Sequence, residues 1–487
     1  MFDASPDGAP VTQPTPLRYA DLFAGIGGFA AALNALGAEH TYSVEIDKAA
    51  AAVYARNWGH DPLGDITEDA NDSVMRVGEH DILAGGFPCQ PFSKSGAQKG
   101  MDEIRGTLFF NIMEVVRERR PTLVVLENVR NLAGPRHVHE WVVIIERLRA
   151  EGYQVSETSA VFSPHQIDPA FGGSPQVRER VFITATLVPE GHVADPFIEP
   201  VSLLPHVRMH REWDLAEDLP LDAAHDIDGT EISDDEHRWI AHWEQWVQVM
   251  LELRTSDADA AGEPARRLPG FPIWANVWVT SPEDRRNLMA PDGVPVAAWK
   301  ASFLQKNWDL YDRLRAATDG QWLDRWLAKT RTFPESRQKL EWQAQDETSL
   351  WNCVLSLRPS GIRAKRMTHL PALVAITQTP ILGPLKRRLS PREAARLQGL
   401  PDEFDFGGQR SALTYKQLGN GVNVGVVWNV LKAHVERDKD LLLATDRGRA
   451  IYEAVSQAPA NPASRVREAI TACRVRLPDD ALSSTTA

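Results

Sequence analysis

The sequence predicts an α/β fold, a parallel sheet covered by helices, accompanied by a separate, smaller domain. Three observations predict it. Between Leu17 and Phe182, strand-like and helix-like stretches alternate. From about Leu187 to Leu385 that rhythm stops, and twelve of the fifteen tryptophans fall between Trp213 and Trp351. With 487 residues the chain is also too long for one ordinary core.

The first elements follow in order. "LRYADLFAG" reads as a strand and "GGFAAALNALG" as a helix closed by Gly37. "HTYSVEID" is a second strand and "KAAAAVYARNW" a second helix. "HDILAGGF" is a third strand, "TLFFNIMEVVRERR" a helix, "PTLVVLENV" a strand and "VHEWVVIIERLRAEG" a helix. In such sheets ligands bind beyond the carboxyl ends of the strands. The unusual loops all sit at those ends: Phe23–Gly28, Glu45–Asp47, Phe87–Ser93 and Glu127–Val129. Further on, Arg388–Phe404 reads as a helix and a turn, and Gln417–His434 as a Gly/Asn loop before an apolar helix.

Composition narrows the class. The chain is 43% hydrophobic and 24% charged, the proportions of a soluble globular protein. No apolar run is long enough to span a bilayer. The opening "MFDASPDGAPVTQPTP" lacks the basic start and apolar stretch of a signal peptide, so a cytoplasmic protein with a disordered tail is expected. Three widely spaced cysteines, Cys89, Cys353 and Cys473, argue against a disulfide framework and against a metal site. The net charge of −13 argues weakly against a nucleic-acid partner, but a global charge can hide a local stripe. Asp214–Glu236 carries ten acids and no Lys or Arg; Cys353–Arg396 carries nine Lys or Arg and one acid. Two readings stay open: a basic face for a phosphate backbone with the acids turned away, or a solvated surface with chance clustering.

Several short stretches carry chemistry. "DLFAGIGGF" joins a strand to a helix, and its glycines at 25, 27 and 28 allow a sharp turn and close approach of a ligand. Glu45 follows about twenty residues on, where an acid can accept ribose hydroxyls. The pattern fits a nucleoside cofactor or a plain tight turn, and its G-x-G-G spacing leans away from a dinucleotide. "GGFPCQPFSKSG" sets Cys89 between two prolines at a strand end. A lone cysteine is most often an inert buried thiol, but a core cysteine needs no rigid turn, and a thiolate here can be a nucleophile. "LENV" places Glu127 and Asn128 after an apolar run, where an acid is costly to bury. "QVRERVFI" offers Arg178 and Arg180, two residues apart and so on one face of a strand. A surface salt bridge is their plainer reading.

Taken together and in this order, "DLFAGIGGF", "VEID", "GDI", "GGFPCQPFS", "RGTLFF", "LENV", "QVRER", "RRLSPREAARLQGLPDEF" and "QLGNGVNVGVV" make the chain resemble the DNA (cytosine-5) methyltransferases of bacterial restriction–modification systems. The motifs span residues 21 to about 427, and the tryptophan-rich stretch falls where that family keeps its target-recognition domain. The resemblance implies an S-adenosylmethionine-dependent, Rossmann-like sheet. Cys89 would attack C6 of a flipped cytosine, Glu127 would hold N3, and Arg180, with Arg178, would bind O2. Phe23, Gly25, Gly27, Glu45, Ile46, Asp65, Ile66, Pro88, Leu108, Asn420 and Val422 would hold S-adenosylmethionine. Gln90 and Ser93 would lie on a loop closing over the base, and Arg363, Lys365 and Arg366 would contact DNA. The sequence departs from the pattern at Ala372-Leu373, where many members have Thr-Leu, and at Gly421, where a serine is common.

The expected organisation is a disordered tail (1–16), a catalytic and cofactor domain (17–190), a target-recognition domain (191–385), a return to the catalytic domain (386–437) and an extension (438–487) on which the sequence is silent. The resemblance implies double-stranded DNA as partner, a cognate restriction endonuclease as genetic partner, no membrane, and a monomer associated with the nucleoid. The tRNA-modifying branch shares "PCQ" and "ENV" but lacks so long a recognition region. A catalytically silent DNA-binding protein and a nicotinamide dehydrogenase are more distant alternatives.

Overall fold

The computed structural model describes residues 16–88, 108–224, 226–261, 267–318, 320–373 and 379–474. The expected tail up to residue 15, the loop with Cys89, Gln90 and Ser93, and the terminal "DDALSSTTA" lie outside them.

The first half builds β1 (Arg18–Leu22), α1 (Gly28–Ala35), β2 (Glu39–Val44), α2 (Lys48–Trp58), α3 (Ile66–Asp69), β3 (Ile82–Gly86), α4 (Leu108–Arg119), β4 (Leu123–Val129), α5 (Val138–Ala150), β5 (Tyr153–Val155), β6 (Ala160–Phe162), β7 (Gln176–Val177) and β8 (Arg180–Leu187). Local chemistry explains the helix starts and stops. Asp47 caps α2 by accepting from the backbone N–H groups of Ala49 (3.0 Å) and Ala50 (3.2 Å), and Gly59 ends it in the left-handed region. Successive strand residues point to opposite faces. Tyr19, Ile82 and Leu123 meet α1 on one side, while Ala20, Leu83 and Val124 meet α4 and α5 on the other.

The sheet runs β2-β1-β3-β4-β8-β5, with β6 also on β8. β2, β1, β3 and β4 are parallel, but β8 is antiparallel to β4, β5 and β6. The expected parallel sheet is formed by those four parallel strands, and β8 makes the whole sheet mixed. A parallel return needs a crossover, usually helical, of a dozen or more residues. α5 provides one to β5, whereas no α-helix lies between β5 and β8, and β8 fills the gap antiparallel. Register aligns the strand exits: Leu22 lies beside Val44 and Gly85, and Gly86 beside Glu127.

A second sheet, in the order β15-β14-β11-β12-β10-β9, combines β9 (Ile273–Trp274), β10 (Lys339–Gln343), β11 (Val354–Arg358), β12 (Gly361–Lys365), β14 (Ile381–Leu382) and β15 (Arg387–Arg388). Its core is aromatic: Trp243, Trp246, Trp278, Trp308, Trp326 and Trp342 are buried. Trp326 stands edge-on to Trp243 with centroids 5.0 Å apart. The tryptophans thus serve mainly as core. β13 (Leu370–Pro371) pairs in parallel with β7, the strand just before β8 in the chain, as a separate two-stranded sheet.

The charged segments do not face apart. Arg388 pairs with Glu236, Arg396 with Asp222 at 3.0 Å, and Arg387 with Glu393 at 2.8 Å. Much of the basic segment neutralises acids of this chain, because half-buried charge requires a partner. Beyond residue 437, the helix Ala463–Arg474 packs behind α1 and α2, while Asp446–Gln457 packs on the helix Val424–Arg437 and Lys439–Leu443 on Asp446–Gln457. Val466 and Ile470 join the core there, and Arg447 clasps Asp81 through two hydrogen bonds (2.9 and 2.6 Å). No helix among the described residues is long and apolar enough to cross a membrane.

Candidate active site

The exits of β1 and β2 form one wall of a cavity of about 460 Å³. Phe23, Gly25 and Gly27 all have positive φ (58°, 55° and 89°), so the chain turns sharply off β1 before α1 begins. Glu45 locks this turn: its carboxylate accepts from the Gly25 N–H (2.9 Å) and from the Asp47 N–H (2.7 Å). Ile46, beside it, is 70% exposed although apolar, and lines the cavity wall. Asp65 caps α3 by accepting from the Thr67 N–H at 2.9 Å.

Phe23, Gly25, Glu45, Ile46, Asp65, Ile66, Pro88, Leu108, Asn420 and Val422 all line this cavity. Gly27 does not; a Cβ there would lie 2.0 Å from the Trp58 indole nitrogen, which donates to the Ile26 carbonyl at 3.1 Å. Gly27 is small because Trp58 packs under the turn. Gly28 is small for a different reason: a Cβ would lie 2.7 Å from both Val422 Cγ1 and the Val422 carbonyl oxygen. Gly28→Ala is expected to push the 419–422 loop outward and weaken ligand binding in this cavity by about tenfold. Calorimetric titration of a nucleoside ligand checks it; unchanged affinity would show that the loop adjusts freely.

The exits of β3, β4 and β8 supply the rest of the same cavity. Glu127 is 8% exposed and pairs with Arg180, Nε to Oε1 at 2.9 Å. Antiparallel register sets Arg180 opposite Val129, so its side chain reaches back to Glu127. Burial pushes the Glu127 carboxyl up, and Arg180 and Arg178 pull it back down. The Asn128 amide donates to the Phe87 carbonyl at 2.8 Å, tying β4's exit to the approach to Cys89. Pro88 is the last described residue before that cysteine.

Arg178 lies elsewhere. β7 ends at Val177 and β8 starts at Arg180, so the two arginines do not share a strand face. The Arg178 N–H donates to Ser163 Oγ (2.8 Å), outside any ladder. Its guanidinium, buried and off the cavity wall, donates to the carbonyls of Leu373, Gly419 and Gly421. Of these two arginines, Arg180 alone lines the cavity.

Sequence reasoning missed a clasp over the mouth: Lys416 and Asp47, 3.0 Å apart, both line the cavity. They lie 369 residues apart in sequence; Asp47 ends "VEID", but nothing local to either residue signals the pairing. On β12, Arg363 and Lys365 share a face, but Arg363 already pairs with Glu341 of β10 at 2.7 Å. Arg366 pairs with Glu212 at 2.8 Å, and burial lowers the Lys365 ammonium's proton affinity. Lys365 lies near His369, whose ring stacks 6.3 Å from His165.

Similarity to known proteins agrees with this geometry. The family described as C-5 cytosine-specific DNA methylase matches residues 17–436. The chain is 48% identical to Type II methyltransferase M.AluI of Cellulosimicrobium cellulans, over 90% of this chain and 95% of that protein. It is 44% identical to Type II methyltransferase M.HhaI of Haemophilus parahaemolyticus, over 35% of this chain and 49% of that protein. A strand-end cavity that joins a glycine turn to a buried Glu–Arg pair, within a chain matched by this family across nearly all its length, belongs to a DNA cytosine-5-methyltransferase of the C-5 cytosine-specific DNA methylase family.

Proposed function

We propose that this enzyme methylates C5 of a flipped cytosine in one short double-stranded DNA sequence, using S-adenosylmethionine and a transient bond between Cys89 and C6. The observation that carries the reading is the shared cavity: the Phe23–Gly25 turn, Glu45 and Asn420 line the same space as Glu127 and Arg180. The residues fit the cofactor. Ile46 offers an exposed apolar surface to the adenine, Glu45 has acceptor capacity left for the ribose, and Val422 with Asn420 borders the methionine side. When bound, S-adenosylmethionine supplies an electrophilic methyl group.

The chain's residues make C5 nucleophilic. The Cys89 sulfur forms a bond to C6, and the C5–C6 electron pair shifts toward C5. Glu127 shares its proton with N3, so charge does not build on the ring, while Arg180 donates to O2. After C5 is methylated, a base removes the C5 proton, the C6–S bond breaks and the thiolate returns. Splitting one hard step into two easier ones is the general logic of covalent catalysis. Flipping the base costs a few kcal/mol, offset by contacts from the second sheet, for which Arg363, Lys365 and Arg366 are proposed, and from Gln90 and Ser93. Gly27 supports the cofactor turn from beneath. The similarity to M.AluI supports a role in protecting DNA beside a cognate restriction endonuclease, in the cytoplasm.

Bisulfite sequencing of DNA from a methylation-free host expressing the protein tests the reading. Protected cytosines in one recurring short sequence are expected. No protection by protein that binds S-adenosylmethionine would refute it and point to RNA. In the same assay Cys89→Ser is expected to abolish protection while cofactor binding persists; normal turnover would refute the covalent step.

A further inference from the structure

We infer that Arg178 is a positioning residue that fixes the loop closing over the cofactor and ties it to the point where the second sheet's segment returns. The inference rests on the cofactor reading above. Arg178 is 2% exposed, yet no acid meets its guanidinium among the described residues. It donates instead through Nη2 to the carbonyls of Gly419 (2.8 Å) and Gly421 (2.6 Å), and through Nη1 to that of Leu373 (3.1 Å).

The two Nη2 acceptors flank Asn420, which lines the cavity. Both carbonyls accept from Arg178, which holds the loop at Gly419 and Gly421. Val422, packed against Gly28 at the start of α1, holds it at the next residue. Gln398 adds a bond from Nε2 to the Leu418 carbonyl at 3.1 Å, and its own carbonyl accepts from the Val424 N–H at 3.0 Å. The third acceptor, Leu373, lies just past β13, the strand that pairs with β7 immediately before Arg178. One side chain therefore links the strand leading to Arg180, the cofactor loop and the second segment's return.

Only a planar fork with several fixed donors can serve three carbonyls at once; an ammonium cannot reproduce its directions. Burial, and then the Arg180 charge, pull the Arg178 pKa down to about 9, while the Glu127 charge pulls it back up. The arrangement differs from that of Arg180, whose partner is the carboxylate of Glu127.

The test is calorimetric titration of the full-length protein with S-adenosylhomocysteine, alongside cofactor KM and kcat. Arg178→Met is expected to raise Kd by about tenfold or more, the worth of a charge-assisted hydrogen bond. Arg178→Lys should fall between it and the unmodified enzyme. If the unmodified enzyme does not bind the ligand, the cofactor reading itself fails. If it binds and both Arg178 variants bind equally well, the inference fails. A lower binding stoichiometry at unchanged Kd would also overturn it, by showing a purely structural role. So would a loss of kcat at unchanged cofactor affinity, which would place Arg178 on the base.

Discussion

Glu127→Gln lowers kcat/KM for DNA by about 10²–10⁴-fold, the range typical of a lost general acid. The glutamine keeps the shape and a hydrogen bond but has no proton to share with N3. Single-turnover methylation with a radiolabelled methyl donor checks the size; a loss smaller than about threefold would remove Glu127 from proton transfer. The pH profile makes the claim sharper. Burial raises the carboxyl's pKa, so the protonated form persists above the ordinary carboxylate range. Activity should therefore fall on the alkaline side as pH rises through that raised value, and Glu127→Gln should erase this limb. Arg180 favours the charged form of Glu127, so Arg180→Met should move the limb to higher pH.

Glu393→Gln is expected to destabilise the enzyme by about 3–5 kcal/mol, the cost of breaking a buried ion pair from one side. Glu393 and Arg387 are almost wholly buried and joined twice, at 2.8 and 2.9 Å. The same carboxylate accepts from the N–H groups of Ser390 (2.8 Å) and Asp222 (2.9 Å). The Asp222 bond ties the helix Pro391–Leu397 to the acidic segment, and the other three hold the helix start and the strand before it together. Thermal unfolding reads the loss, and the double change Arg387→Met with Glu393→Leu should recover most of it, because no unpaired charge remains. These bonds hold the Glu393 carboxyl below its usual range despite burial. Its contribution is thus present above the unfolded carboxylate's pKa and is lost as pH falls through the folded one. A variant as stable as the parent would show that solvent reaches the pair.

Much of the catalytic sheet was legible because its signals are local. The stretches read as β1, α1, β2, α2, β3, α4, β4 and α5 all form those elements, each set by a few adjacent residues and a cap or glycine. The strand exits were legible too, since a parallel sheet places its loops at one edge, and ten of the eleven residues expected at the cofactor line one cavity. Gly27 escaped because its reason, the Trp58 indole, stands 31 residues away. Arg178 escaped because its acceptors are 195 to 243 residues distant. The charge runs stayed open between two readings for the same reason: Arg388 finds Glu236 across 152 residues, a pairing that only the folded chain creates.

The helices beyond residue 437 bear on how this protein is made. The chain leaves the ribosome N-terminus first, so β1, α1 and β2 are synthesised before every element that covers them. Val422 against Gly28, Arg447 on Asp81 and Arg474 on Asn57 all join residues 28–81 to residues 422–474. Until residues 420–474 emerge, the apolar face of α1 lacks its cover, and the nascent chain carries an open, sticky half-domain through the whole translation of the tryptophan-rich segment. The ligand cavity takes its last lining residues, within 416–422, from beyond that segment, so it closes only after the tryptophan-rich stretch has been made.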